Sequence, residues 1–184
     1  MSVDQWLDSH AYFSKVFLTG DSARANIVHE LGIRASERTW IGLCLQGAIL
    51  VHPYFSGEEA IRCELGAKAE VKGFNKAVNA IWSISLPQWA ERDHPFCNRF
   101  GLRSPALSSM VYPRLLVFVA GNDLLRDRGI LYYESLKTAG KDVYFVMTEG
   151  ENHVFQLNLI MRVLCDPYVE NHFRIQAFVL LWWL

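Results

Sequence analysis

The chain has 184 residues, 51% of them hydrophobic and 20% charged, with a formal net charge of −1. Those values fit one folded domain with a sizeable core; they exclude a disordered chain and any surface basic enough to hold nucleic acid. Four scattered cysteines, Cys44, Cys63, Cys97 and Cys165, lack CxxC spacing and read as reduced thiols rather than as a disulfide framework.

The first ten residues, MSVDQWLDSH, show neither the basic start nor the apolar centre of a signal peptide. The longest apolar stretch, residues 177–184, is too short to cross a bilayer, so no membrane partner and a cytoplasmic location are expected. Residues 15–19 (KVFLT) form a short β-rich run, followed by Gly20 and a helical pattern over 22–31. Further apolar runs follow at 46–52 (QGAILVH), 114–120 (RLLVFVA) and 142–147 (DVYFVM). Such continuous Val, Ile, Leu and Phe runs predict strands buried on both faces of a parallel sheet. Between the last two, residues 127–139 place Ile130, Tyr133 and Leu136 at helical spacing, with Gly140 as the stop. Strand, helix and strand in this order predict βαβ units and an open α/β sheet flanked by helices.

Residues 57–113 break this rhythm. A helical pattern over 74–86 is followed by a loop rich in Pro, Arg, Asp and His, and an insertion of this size predicts a cap over a site. A mostly parallel sheet of four strands needs cover on both faces and partners at its edges, so the chain reads as part of a larger fold.

Gly20-Asp21-Ser22-Ala23, between a strand and a helix, is the setting of a nucleophile elbow. A serine on that sharp turn stands above the carboxyl ends of the strands, and the next N–H, that of Ala23, faces a developing oxyanion. The competing reading is a serine that merely caps the following helix. Asp123 follows the third strand in GNDLLRDR, and His153 follows the fourth in GENHVF. Ser, Asp and His in that chain order, each just past a strand, is the arrangement in which His153 takes the Ser22 proton and Asp123 holds the imidazole. His52, His94 and His172 show no metal-ligand spacing, and no metal is expected. Glu58 and Glu59 beside Arg62 read as a solvated face, Trp82 and Trp89 as cap core or pocket lining, and 92–95 as cap structure.

The segments GDSARANIVH, ILVHPYFSGEE, LPQWAERDHPFCN, SPALSSM, LLVFVAGNDLLRDRGILYYESLKTAGK and EGENHVFQL closely resemble plant carboxylesterases of the hormone-sensitive-lipase-like α/β-hydrolase group, over residues 4–158. The resemblance implies a partial α/β-hydrolase fold and carboxylic ester hydrolysis of small or aromatic esters without a cofactor. It carries the triad roles onto Ser22, Asp123 and His153, and a structural role onto Asp127. Hydroxyisoflavanone dehydratases and gibberellin receptors share the scaffold, and a receptor of that type lacks the histidine.

Three departures qualify the match. The family's HGGG oxyanion loop would precede residue 1, leaving Ala23 as the donor identified here. Arg24 stands at the second glycine of G-x-S-x-G, where it must be accommodated or swing outward. Residues 159–184 leave the family pattern, although 170–184 predict a closing amphipathic helix. The expectation is therefore one incomplete hydrolase domain over 1–184, with a cap at 57–113 and impaired activity.

Overall fold

The computed structural model describes residues 4–37, 39–65 and 69–156; the expected closing helix at 170–184, with Cys165 and His172, lies outside them. A short helix α1 (Gln5–His10) leads into strand β1 (Val16–Asp21), helix α2 (Ala23–Ser36) and strand β2 (Leu45–Val51). Helix α3 (Ala69–Ser85) belongs to the long connection to β3 (Leu115–Ala120), which is followed by α4 (Arg126–Thr138) and β4 (Val143–Thr148). All four strands are parallel and lie in the order β1-β2-β3-β4. The expected α/β architecture and each of the four strands are observed, with ends shifted by one or two residues.

Sequential order has a consequence for the layers. Parallel crossovers are right-handed, so connections that always step to the next strand in one direction return over one face. That face holds the main core: Ala25, Val28 and Ile33 of α2 meet Tyr132 and Leu136 of α4 over Ala48, Leu50, Leu115, Val117 and Val119. His29 of α2 and Tyr132 of α4 are hydrogen-bonded at 2.8 Å inside it. The other face carries a smaller cluster of Phe118, Ala120 and Phe155, packed by Val51 and Val146.

Burial on both faces holds for β3, whose six residues are all buried, but not for β1 or β4, which are the outer strands among the described residues and half exposed. A one-dimensional apolar run reports composition; which strand ends up central is set by pairing. Helix α2 also runs five residues beyond its predicted end, through Gly32, where any Cβ would collide with the Tyr112 ring at 2.2 Å. Tyr112 in turn donates its hydroxyl to the Val28 carbonyl at 2.7 Å, so the helix end is fixed by the segment that enters β3.

The connection between β2 and β3 builds its own small core. Trp82 of α3 stacks on Tyr54 at 5.3 Å between ring centres, with Val78, Leu86, Cys97 and Leu125 around them. Tyr54 lies two residues past His52 and Leu125 two past Asp123, so this core leans on the carboxyl edge of the sheet. Trp82 is core, whereas Trp89 is exposed. Glu58 and Glu59 are exposed, as expected, and Glu58 accepts from Arg92 at the surface. Buried Arg128 of α4 grips Glu64 at 2.5 and 2.7 Å and the Glu59 backbone carbonyl at 3.0 Å. The 92–95 run is structural, as expected, with Asp93 accepting from Asn98 and from the Glu58 N–H.

Candidate active site

Four strands that all point the same way bring their carboxyl ends to one edge, and loops at that edge carry Ser22, His52, Asp123 and His153. Ser22 directly follows β1 with φ 55° and ψ −117°, a backbone a serine adopts only when its surroundings impose it. They do so at three points. The Ser22 N–H donates to the Val51 carbonyl at 2.9 Å, its carbonyl accepts from Tyr54 and from Ala25, and Gly20 lets helix and strand close together. A Cβ at Gly20 would sit 2.4 Å from the Arg24 carbonyl group. The side chain of Ser22 makes no capping bond to the helix, which removes the reading of a plain N-cap serine. Arg24 is exposed and swings outward, and the elbow forms without the second glycine.

The Ser22 hydroxyl lies 3.1 Å from His153 Nε2, and His153 Nδ1 lies 2.7 Å from Asp123 Oδ2. Asp123 is buried; its other oxygen, Oδ1, accepts the Leu125 N–H at 2.9 Å. Both carboxylate oxygens are thus occupied, and the Nδ1 proton of His153 has a fixed acceptor. The loops bearing Asp123 and His153 are tied directly: Asn122 donates its N–H to the Glu151 carbonyl at 2.8 Å and its amide to the Gly150 carbonyl at 2.8 Å. Burial alone would lower the His153 pKa; the hydrogen bond and charge of Asp123, with the charge of Asp21, outweigh it and raise it above the ordinary 6.5.

The N–H of Ala23 opens α2, where no intrahelical acceptor exists for it, and it is available to an anion beside Ser22. Asp127, expected to be structural, is paired with Arg126 at 2.7 Å, away from His153.

Two side chains that spacing did not single out for the site are present. Asp21, the x of G-x-S, accepts from Gln156 just past His153, and burial raises its pKa. His52 is fully buried, has φ 44° and accepts the Val154 N–H through Nδ1 at 3.1 Å. Its ring centre is 5.3 Å from that of His153. The sequence signal was available: His52 directly follows β2, at the edge where the other three groups collect. One ligand atom each from His52, Asp123 and His153 lie within 4.8 Å of one another, a donor set a divalent cation could use. Both nitrogens of His153 are already engaged, so a cation there would displace either Asp123 or Ser22.

A parallel α/β sheet with a strained serine turn at its carboxyl edge and an Asp–His pair beside it defines the hydrolase-type α/β class. The chain belongs to the alpha/beta hydrolase fold family, whose model matches residues 1–157. It is similar to tuliposide A-converting enzyme 1 of Tulipa gesneriana, 35% identical over 85% of this chain and 39% of the enzyme. Probable carboxylesterase 2 of Arabidopsis thaliana is 34% identical over 91% of this chain and 51% of that protein. A gibberellin receptor of Arabidopsis thaliana matches at 34%, over 83% of this chain and 45% of the receptor. Among solved structures, an esterase of the bacterial hormone-sensitive lipase family aligns with a TM-score of 0.62 at 21% identity, over 83% of this chain and 49% of the esterase. The chain spans about two-fifths to one half of the length of these relatives. Among the described residues no helix is long and apolar enough to cross a membrane.

Proposed function

We propose that this chain carries the catalytic residues of a carboxylic ester hydrolase acting on small or aromatic esters. The observation that carries the reading is the unbroken line of hydrogen bonds from Ser22 through His153 to Asp123. Esterase relatives and the hydrolase family model support the same class. In the reaction, His153 Nε2 accepts the hydroxyl proton as Ser22 Oγ bonds to the ester carbonyl carbon. The carbonyl π electrons move to oxygen, and the Ala23 N–H stabilises that oxyanion. Collapse expels the alcohol, which leaves with the proton from His153, and water repeats the sequence to release the acid and free Ser22. Asp123 keeps the Nδ1 proton in place and balances the imidazolium charge. The chemistry as written needs no cofactor.

Residues 57–113, with Trp82 stacked on Tyr54, whose N–H donates to the Ser22 carbonyl, serve in this reading as the cap that shapes the acyl or alcohol pocket. The gibberellin receptor relative offers a second reading, a ligand-binding module, which has no use for a histidine bonded to Ser22. The dehydratase reading is separated by assaying both substrate classes. A cytoplasmic address belongs to the same proposal; the tulip relative is named chloroplastic, and imaging a fluorescent fusion distinguishes the two.

The test is hydrolysis of p-nitrophenyl acetate. An oxyanion donor is worth about 10²–10³ in turnover, and the Ala23 N–H is the donor this reading assigns, so turnover of this ester that depends on Ser22 is expected. That turnover should vanish in Ser22→Ala. Turnover that survives Ser22→Ala would remove serine catalysis.

A further inference from the structure

We propose that His52 is a positioning residue: its Nδ1 accepts the Val154 N–H and thereby holds the turn bearing His153 in register with Ser22. The inference rests on the reading of Ser22 and His153 as nucleophile and base. Its geometry begins one residue earlier. Val51 accepts the Ser22 N–H at 2.9 Å through its carbonyl, and His52 accepts the Val154 N–H at 3.1 Å through its ring. Two consecutive residues at the end of β2 therefore hold the serine turn on one side and the histidine turn on the other. The separation of Ser22 and His153, 3.1 Å between reacting atoms, is set across that dipeptide.

The turn needs such a hold. Val154 has φ 55°, a left-handed conformation that a β-branched residue resists. Something must keep it there, directly beside the base, and the Val154 N–H finds its acceptor in the His52 ring. His52 is itself locked: its N–H donates to the Phe118 carbonyl at 2.7 Å, and its ring packs among Phe118, Phe155 and His153. An Nδ1 that accepts an N–H carries no proton, so the proton of His52 resides on Nε2, which is buried and has no partner among the described residues. Burial accordingly pushes the His52 pKa down to about 4, against the charge of nearby Asp123 and with that of His153. An uncharged ring is what the neighbour of a developing imidazolium requires, because a second cation there would oppose proton transfer to His153.

The experiment uses the whole 184-residue protein with nitrogen-labelled histidine. In the wild type, nitrogen shifts should show His52 unprotonated at Nδ1 near neutral pH, and the His153 Nδ1 proton should resonate far downfield, as expected for a strong bond to Asp123. Two variants divide the roles of ring and acceptor. His52→Phe keeps the ring and loses the acceptor; His52→Asn keeps an acceptor at nearly the same place and tolerates positive φ. His52→Phe should shift or erase the downfield proton and slow phosphonylation of Ser22 by a fluorophosphonate about a hundredfold, the scale of an ångström-sized misplacement. His52→Asn should retain the signal and most of the rate. A folded His52→Phe protein with both readouts unchanged would overturn the proposal. So would a wild-type spectrum with His52 protonated at Nδ1, which decides the matter even where His52→Phe does not fold. Failure of Ser22 to react in the wild type, with the His153 proton signal still dependent on His52, would instead sink the hydrolase reading and leave the positioning role standing.

Discussion

His153 and Asp123 are joined at 2.7 Å although they hang from different strands, because Asn122 bridges the loop after β3 to the loop after β4. The pair is therefore a property of two adjacent parallel strands. Asp123→Asn should leave the fold intact, and Asn122 should go on holding the loops. The acceptor for the Nδ1 proton would be replaced by an amide, and reaction of Ser22 should fall by roughly 10⁴, as in other Ser-His-Asp sites. Rates of fluorophosphonate labelling and a circular dichroism melt check both halves of that expectation.

The pH profile follows from the raised pKa of His153. Only the unprotonated imidazole can accept the Ser22 proton, so the labelling rate should rise with pH, with a midpoint above 6.5. Removing the Asp123 charge should move the midpoint down. A midpoint that stays put in Asp123→Asn would separate the profile from His153.

Stability should have its own pH dependence, opposite in sign for the buried histidines. His52 and His29 have pKa values lowered by burial, so on unfolding each gains protons in the acid range. For His52 the window runs from about 4 to 6.5, and stability should climb with pH across it. His153, with a raised pKa, contributes stability that is complete below 6.5 and fades as pH rises through its folded value. Urea unfolding midpoints across this range measure the sum, and His52→Asn should flatten the acid limb.

Much of this site was legible in the chain. Ser22, Asp123 and His153 could be singled out as candidates because each sits just past an apolar run, a parallel sheet must deliver such positions to one edge, and their side chains do meet there. His52 meets the same criterion: metal-ligand spacing says nothing of it, and its place directly after β2 is the signal that marks it. The Asp21–Gln156 contact links residues 135 positions apart, and no local pattern encodes such a pair. Nor could the apolar runs tell central β3 from outer strand β4, since DVYFVM, with five apolar residues of six, is nearly as apolar as RLLVFVA, with six of seven. The length of α2 depended on Gly32 meeting Tyr112, a contact between residues in different elements.

The elbow's close packing predicts a severe effect at Gly20. Gly20→Ala places a methyl 2.4 Å from backbone atoms of Arg24, which cannot move without shifting α2. Overpacking of this kind typically costs about 1–3 kcal/mol, and backbone contact puts this case at the upper end. Denaturant titration reads the loss. A Gly20→Ala protein as stable as wild type would show that α2 can retreat from β1.

The Arg128–Glu64 pair links α4 to the connection that carries α3, and both side chains are largely buried. Arg128→Met should cost about 3–5 kcal/mol, because Glu64 is left without its partner. The double variant Arg128→Met with Glu64→Leu should recover much of that, since the unpaired charge is gone. No recovery in the double variant would mean that the bond from Arg128 to the Glu59 carbonyl, not the ion pair, holds the connection in place.

The most direct test of serine catalysis is mass spectrometry of the 184-residue protein after exposure to a fluorophosphonate. One phosphonyl group is expected, on the peptide containing Ser22, formed slowly in the wild type, far more slowly in His153→Ala and not at all in Ser22→Ala. A folded protein that takes no label, or takes it on another residue with Ser22 unmodified, would contradict the assignment of Ser22 as nucleophile.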